Sequence, residues 1–192
     1  MNRDDLPLGQ LYLSDVRERM RGVKALGEGA LAQLLPGEVD AALSPGGNGA
    51  GVLVQHLAGN MRSRWGGLRS GYVPGAEGET GTRDRDAEFG PRGLTPEALR
   101  AEWEAGWVVF LDALDALTPA DLTRTLTIRG ETHTVLAAIQ RQIAHYSGHV
   151  YQLIFLVKTL RGEGWETLSI PRGGSAAYNA GNAGMEERRS LS

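Results

Sequence analysis

The chain has 192 residues, no cysteine and a formal net charge of −3, with a pI near 5.8. Its length and its 41% hydrophobic content predict one globular domain around a single core. Because no basic excess is available to neutralise phosphates, nucleic acid is not expected as a partner. The absence of cysteine excludes disulfides, thiol nucleophiles and thiolate metal sites, so any transition metal must be bound by His, Asp or Glu.

The sequence shows no pattern typical of a targeting signal or of a membrane-spanning segment. The N-terminal residues contain no basic region followed by an apolar run, which argues against a secretory signal. The longest largely apolar runs, residues 107–117 and 150–157, are far shorter than the ~20 residues that span a bilayer. A soluble, cytoplasmic protein without a membrane partner is therefore expected.

Apolar residues at three-and-four spacing predict two helices in the first third of the chain. The first covers roughly residues 10–35 and is stopped by the Pro-Gly pair at residues 36–37. The second, residues 52–65, follows a glycine-rich stretch and has two adjoining faces. One face is apolar, and the other carries His56, Asn60 and Arg64.

Residues 66–93 contain eight glycines and a mixed run of charges. A loop of this length is usually functional or disordered. The third helix is predicted to begin at residues 95–97, where Thr-Pro-Glu supplies an N-cap, a first-turn proline and a first-turn acid, and to end near residue 118.

A small hairpin or tight turn is predicted before the last helix, because Leu126 and Ile128 alternate with polar residues ahead of an Arg-Gly pair at residues 129–130. From Val135 the helical pattern runs on to Leu160. Long helices with apolar stripes pack most simply as a bundle, so an all-α fold is expected.

Two of the four histidines, His145 and His149, stand four residues apart on the last helix. Residues at this spacing share one face of a helix, so both rings can reach one ion, and a facing second helix would add His56. Three imidazoles with open positions are typical of a catalytic metal site. Core histidines hydrogen-bonded to glutamine or backbone explain the spacing as well. Tyr146 follows His145 where zincins carry glutamate, so their mechanism does not apply.

The fourth histidine, His133, is interpreted as a turn residue that takes no part in metal binding. Four other residues are candidates for substrate contacts or for orienting the ligands. They are Asn60, Arg64, Asp86 and Gln152. For Asn60 a packing role is equally consistent with the sequence, and for Arg64 an ion pair with the acidic loop is favoured over an anion clamp.

The phrases "HLAGNMRSRW", "RDRDAEF", "IRGE", "HYSGH" and "LSIPRGGSAAYN" resemble the DinB-like superfamily, and more particularly a branch described only as a domain of unknown function. The resemblance implies a four-helix bundle of up-up-down-down type over residues 1–165, with loop 66–93 between its second and third helices. Residues 166–192 would form a C-terminal extension whose last residues are disordered. It also implies that His56, His145 and His149 bind a divalent metal.

Two functions follow from this resemblance. In the first, the protein is a metal-dependent enzyme, either a thiol S-transferase that uses a low-molecular-weight thiol or a hydrolase, with Asp86 as a candidate base. Zn²⁺ is the expected metal, and Ni²⁺, Mn²⁺ or Fe²⁺ suit the same ligands. In the second, it is a metal- or ligand-binding stress-response module without turnover. A homodimer and a small-molecule ligand are expected, whereas the substrate and the catalytic residues are not indicated by the sequence.

Overall fold

A computed structural model describes residues 6–68, 86–90, 92–128 and 130–180, and only the backbone of residues 86 and 87. This part of the chain is mostly helical, as predicted for an all-α protein. Four long helices and one small hairpin define it. They are α1 (Leu8–Leu31), α2 (Ala50–Trp65), α3 (Pro96–Ala116), β1 (Thr125–Ile128), β2 (Glu131–Thr134) and α4 (Val135–Arg161). Most of loop 66–93, and all of the last residues predicted to be disordered, lie outside the described residues.

The helix starts follow the capping signals in the sequence. The Thr95 hydroxyl accepts a hydrogen bond from the backbone N–H of Ala98 at the start of α3. The Thr134 hydroxyl does the same for Ala137 at the start of α4. Each hydroxyl satisfies one of the N–H groups that have no partner within the helix.

The first helix ends at Leu31, about four residues earlier than predicted. The residue before a proline is disfavoured in helical conformation, so the chain must leave the helix ahead of Pro36. The Glu38 carboxylate then accepts a hydrogen bond from the Leu35 N–H, and Gly37 adopts φ 87° in the turn. The sequence predicted a longer helix because Leu34, which is buried in the core, continues the apolar spacing beyond Leu31.

The four helices share one hydrophobic core, with α2 against α3 and α4, and α1 against α3 and α4. Thirteen of the sixteen residues of α2 are buried. Its polar stripe, formed by His56, Asn60 and Arg64, is therefore inside the protein and not on its surface. Gly106 of α3 lies directly against Ala58 of α2, which brings these two helices close together.

The predicted hairpin is present, with β1 and β2 antiparallel and Thr125 opposite Thr134. Leu126 and Ile128 are buried beneath it, and Gly130 takes φ 78° in the turn. The hairpin leads directly into α4, since the Val135 N–H donates to the carbonyl of Arg124. Further along, Trp165 and Leu168 pack against the core, and the backbone of Glu166 is hydrogen-bonded to the side chain of Gln33, just after α1.

Candidate metal centre

Three histidines from two helices meet at one point of the structure. His145 and His149 are one turn apart on α4, as their spacing requires, and α2 brings His56 to the same place. His56 is 8% exposed, whereas the two histidines of α4 are only partly buried. The α2 side of the cluster is thus buried in the core, and its α4 side lies near the solvent.

The ring nitrogens are close enough to share an ion. One nitrogen of each histidine lies within 4.8 Å of the corresponding nitrogens of the other two. The Nε2 atoms of His56 and His145 are 3.2 Å apart. The ring centroids of the three pairs are separated by 5.3, 5.0 and 4.8 Å, with interplanar angles between 72° and 85°. The rings are therefore arranged edge to face around a common point.

This donor set fits a small divalent cation. Zinc–nitrogen bonds of about 2.0–2.1 Å in tetrahedral geometry place two ligand nitrogens about 3.4 Å apart. The His56–His145 separation of 3.2 Å is already close to that value, and His149 offers a nitrogen within 4.8 Å of both. Imidazole nitrogens suit Zn²⁺, Ni²⁺ and Fe²⁺. Within the part of the chain that the structure describes, no carboxylate and no fourth histidine joins the group.

Two of the histidines have a polar partner on the other ring nitrogen. His56 Nδ1 is 3.3 Å from Glu88 Oε2, and His149 Nδ1 is 3.1 Å from Gln152 Oε1. Both partner atoms can accept a hydrogen bond from Nδ1–H, an arrangement that favours the tautomer with the proton on Nδ1 and the lone pair on Nε2. Gln152, a sequence-predicted candidate for this region, therefore lies beside a histidine of the cluster.

A buried hydrogen-bond chain lies next to the histidines. The indole N–H of Trp65 donates to the Tyr146 hydroxyl, which in turn donates to Asn60 Oδ1. Both hydrogen bonds have a donor–acceptor distance of 3.0 Å. Asn60 is one turn beyond His56 on α2, and Tyr146 follows His145 on α4. The chain thus connects the two helices that carry the cluster. In this contact Asn60 serves the packing of α2 against α4, one of the two roles that its position allowed.

The remaining candidates are less directly placed. Arg64 is buried on α2, two turns beyond His56. Asp86 begins a single turn of 3₁₀ helix, Asp86–Phe89, that packs on α2, and its side chain lies outside the described residues. His133 lies on β2, with its Nε2 3.6 Å from a carboxylate oxygen of Glu131. It therefore belongs to a strand and not to a turn as predicted, and it is not one of the three histidines of the cluster.

The sequence did not identify Glu88 and Phe89 as neighbours of His56. Glu88 is 32 positions from His56 in the sequence, and no helical spacing connects it to the histidines. The Phe89 ring lies 5.5 Å from the His56 ring. The one signal available was the phrase "RDRDAEF", which contains both residues and contributed to the family resemblance.

These features define a class of protein: a predominantly helical one with three histidines that can hold a metal ion. No helix in residues 6–68, 86–90, 92–128 and 130–180 combines the length and the hydropathy needed to cross a membrane.

The family follows from the sequence. The model of the family described as "Protein of unknown function (DUF1572)" matches residues 7–174, and the chain belongs to this family. No curated protein and no solved structure matches this chain.

Proposed function

We propose that the protein is a DinB-like four-helix bundle and a metal-dependent enzyme of the thiol S-transferase or hydrolase type. Zn²⁺ is the preferred metal, held by His56, His145 and His149. The observation that carries the proposal is the convergence of these three imidazoles from two helices. A bound cation would supply Lewis acidity, which stabilises negative charge on a thiolate sulfur or on a substrate oxygen.

The number and exposure of the ligands favour catalysis over a structural metal. Structural zinc sites are closed by four protein ligands, whereas catalytic sites have three and leave a position for substrate. Only three candidate ligands come together among the described residues. His145 and His149 are partly exposed, which leaves an approach for a small molecule from the α4 side. Asp86 as the base remains a prediction.

The metal part of the proposal is tested by elemental analysis of protein purified without chelator. The wild type should contain about one equivalent of a divalent metal, and His145→Ala and His149→Ala should contain almost none, because two imidazoles hold zinc weakly. His133→Ala is the matched control and should retain the wild-type content. Equal metal content in all four proteins would contradict the assignment of the ligands.

The enzymatic part is tested with the metal-loaded protein and two substrate classes. A hydrolase should cleave activated esters or amides without added thiol, and an S-transferase should need a low-molecular-weight thiol together with an electrophilic acceptor. Either activity should be lost in His149→Ala and retained in His133→Ala. A metal-loaded wild type inactive with both classes would contradict the enzyme and favour a binding module without turnover.

The homodimer and the cytoplasmic location stay predictions of the sequence. The outer face of α4 carries two large exposed aromatic residues, Tyr151 and Phe155, which are the kind of side chain enriched at protein interfaces. Light scattering over a range of protein concentrations measures the association, and a monomer at every concentration would exclude the dimer.

A further inference from the structure

His56 is held from both sides of its ring by residues far apart in the sequence. Its Nε2 lies 3.2 Å from Nε2 of His145 in the cluster, and its Nδ1 lies 3.3 Å from the Glu88 carboxylate. The side chains of His56 and Glu88 are 10% and 11% exposed, so this contact is largely screened from water. Phe89, the next residue after Glu88, packs its ring on the same imidazole.

We propose that Glu88 is a positioning residue, which fixes the ring of His56 with Nε2 directed at the other two histidines. The inference rests on the proposed metal site and adds a residue to it. A histidine that binds metal through Nε2 needs its proton on Nδ1, and a carboxylate acceptor stabilises that tautomer, fixes the ring and makes the ligand nitrogen more basic.

The geometry distinguishes this role from that of a fourth ligand. The Glu88 oxygen contacts Nδ1, whereas His145 faces Nε2 on the opposite side of the imidazole ring. Glu88 is also outside the group of side chains whose donor atoms lie within 4.8 Å of one another. Glu88 therefore acts on the metal site through His56.

The local structure suits this task. Glu88 belongs to the Asp86–Phe89 turn, which packs directly on α2. His56 belongs to the same helix, so ligand and acceptor are held by elements in direct contact. Phe89 contacts the imidazole ring and Glu88 contacts its Nδ1, so two adjacent residues of this turn hold the same side chain.

Three variants test the inference. Glu88→Ala removes both the acceptor and its charge. Glu88→Gln keeps an oxygen that can accept from Nδ1 but removes the charge. Glu102→Ala is the matched control. The Glu102 side chain, on α3, pairs with Arg62 on α2, the helix that also carries His56, but Glu102 does not belong to the cluster. Zinc affinity is measured by competition with a chromophoric chelator, and ligand geometry by the visible absorption spectrum of the Co²⁺-loaded protein.

Glu88→Ala should weaken zinc binding about 10- to 100-fold and alter the Co²⁺ spectrum, as is typical when such a partner of a metal-bound histidine is lost. Glu88→Gln should lie between Glu88→Ala and the wild type, and Glu102→Ala should equal the wild type. A merely structural role of Glu88 would lower the melting temperature of the metal-free protein without changing zinc affinity. That result would overturn the inference.

A second measurement, on metal-free protein, separates this inference from the proposed function. The ¹⁵N resonances of the imidazole rings report which nitrogen of His56 carries the proton. We expect Nδ1–H in the wild type and in Glu88→Gln, and a shift towards Nε2–H in Glu88→Ala. A wild type that binds no metal but shows this change would refute the proposed function and retain the role of Glu88. A tautomer that is the same in all variants would refute the role of Glu88.

Discussion

The contact between Gly106 on α3 and Ala58 on α2 sets the distance between these two helices, and Gly106→Ala tests it. The added Cβ would lie 2.7 Å from Ala58 Cα and 2.8 Å from Ala58 Cβ. Carbon atoms in ordinary contact are about 3.5–4.0 Å apart, so the helices would have to separate by roughly 1 Å. The atoms that are met are backbone and a methyl group, and neither can turn away into another rotamer.

The expected magnitude follows from two opposing terms. Overpacking a well-packed core costs about 1–3 kcal/mol, whereas replacing glycine by alanine inside a helix contributes about 1 kcal/mol of stability. Gly22→Ala on α1 is the matched control, because no described atom lies within 4 Å of its new Cβ and only the second term applies. The two variants should therefore differ by about 1–3 kcal/mol, with Gly22→Ala the more stable.

Denaturant unfolding of the metal-free proteins measures this difference, and zinc affinity provides a second readout. Ala58 is two residues from His56 on α2, so a displaced α2 also moves His56 away from the histidines of α4. Gly106→Ala should consequently bind zinc more weakly than the wild type, and Gly22→Ala should bind it equally well. If Gly106→Ala were as stable as Gly22→Ala and kept wild-type zinc affinity, this contact would not determine the helix spacing.

Two further substitutions test the buried network and the pH dependence of stability. Tyr146→Phe leaves the indole N–H of Trp65 and the amide oxygen of Asn60 without the hydroxyl that joins them, and it should lower the free energy of unfolding by about 1–3 kcal/mol. Wild-type stability in urea would contradict a role for this hydroxyl. Hydrogen bonds from the hydroxyl and the backbone N–H of Thr118 lower the pKa of Asp121 below its ordinary value of 3.8. The ionised carboxylate of Asp121 therefore stabilises the folded protein at pH values above 3.8, and this stabilisation is lost as the pH falls through the lower pKa of the folded state. The loss of stability caused by Asp121→Ala at neutral pH should consequently vanish in acid. A difference from wild type that is independent of pH would exclude the carboxylate as its source.

Local signals in the sequence predicted most of the helical elements. Three-and-four apolar spacing is a property of one helix alone, and so is the N-cap signal of Thr95 that starts α3. The spacing of His145 and His149 is local in the same sense, because one turn of helix places both on one face. These features depend on few residues close together in the chain.

Features that depend on contacts between elements were less accessible. The sequence indicated His56 as the third member of the cluster only through its helix face and the family resemblance. The pairing of Glu88 with His56 bridges 32 positions of the sequence, and no periodic pattern crosses the intervening loop. The contact of Asn60 with Tyr146 depends on how α2 is rotated against α4, which the packing of the whole core decides.

The burial of the polar stripe on α2 links the fold to the proposed site. A polar group removed from water costs free energy unless it finds hydrogen-bond partners, and a helix that only had to pack would carry apolar residues at such positions. Yet α2 buries His56 and Asn60 one turn apart, and each meets a polar side chain of α4 or of the Asp86–Phe89 turn. Because hydrophobic side chains would fill the same space more simply, this arrangement is better explained by a requirement for a site than by stability.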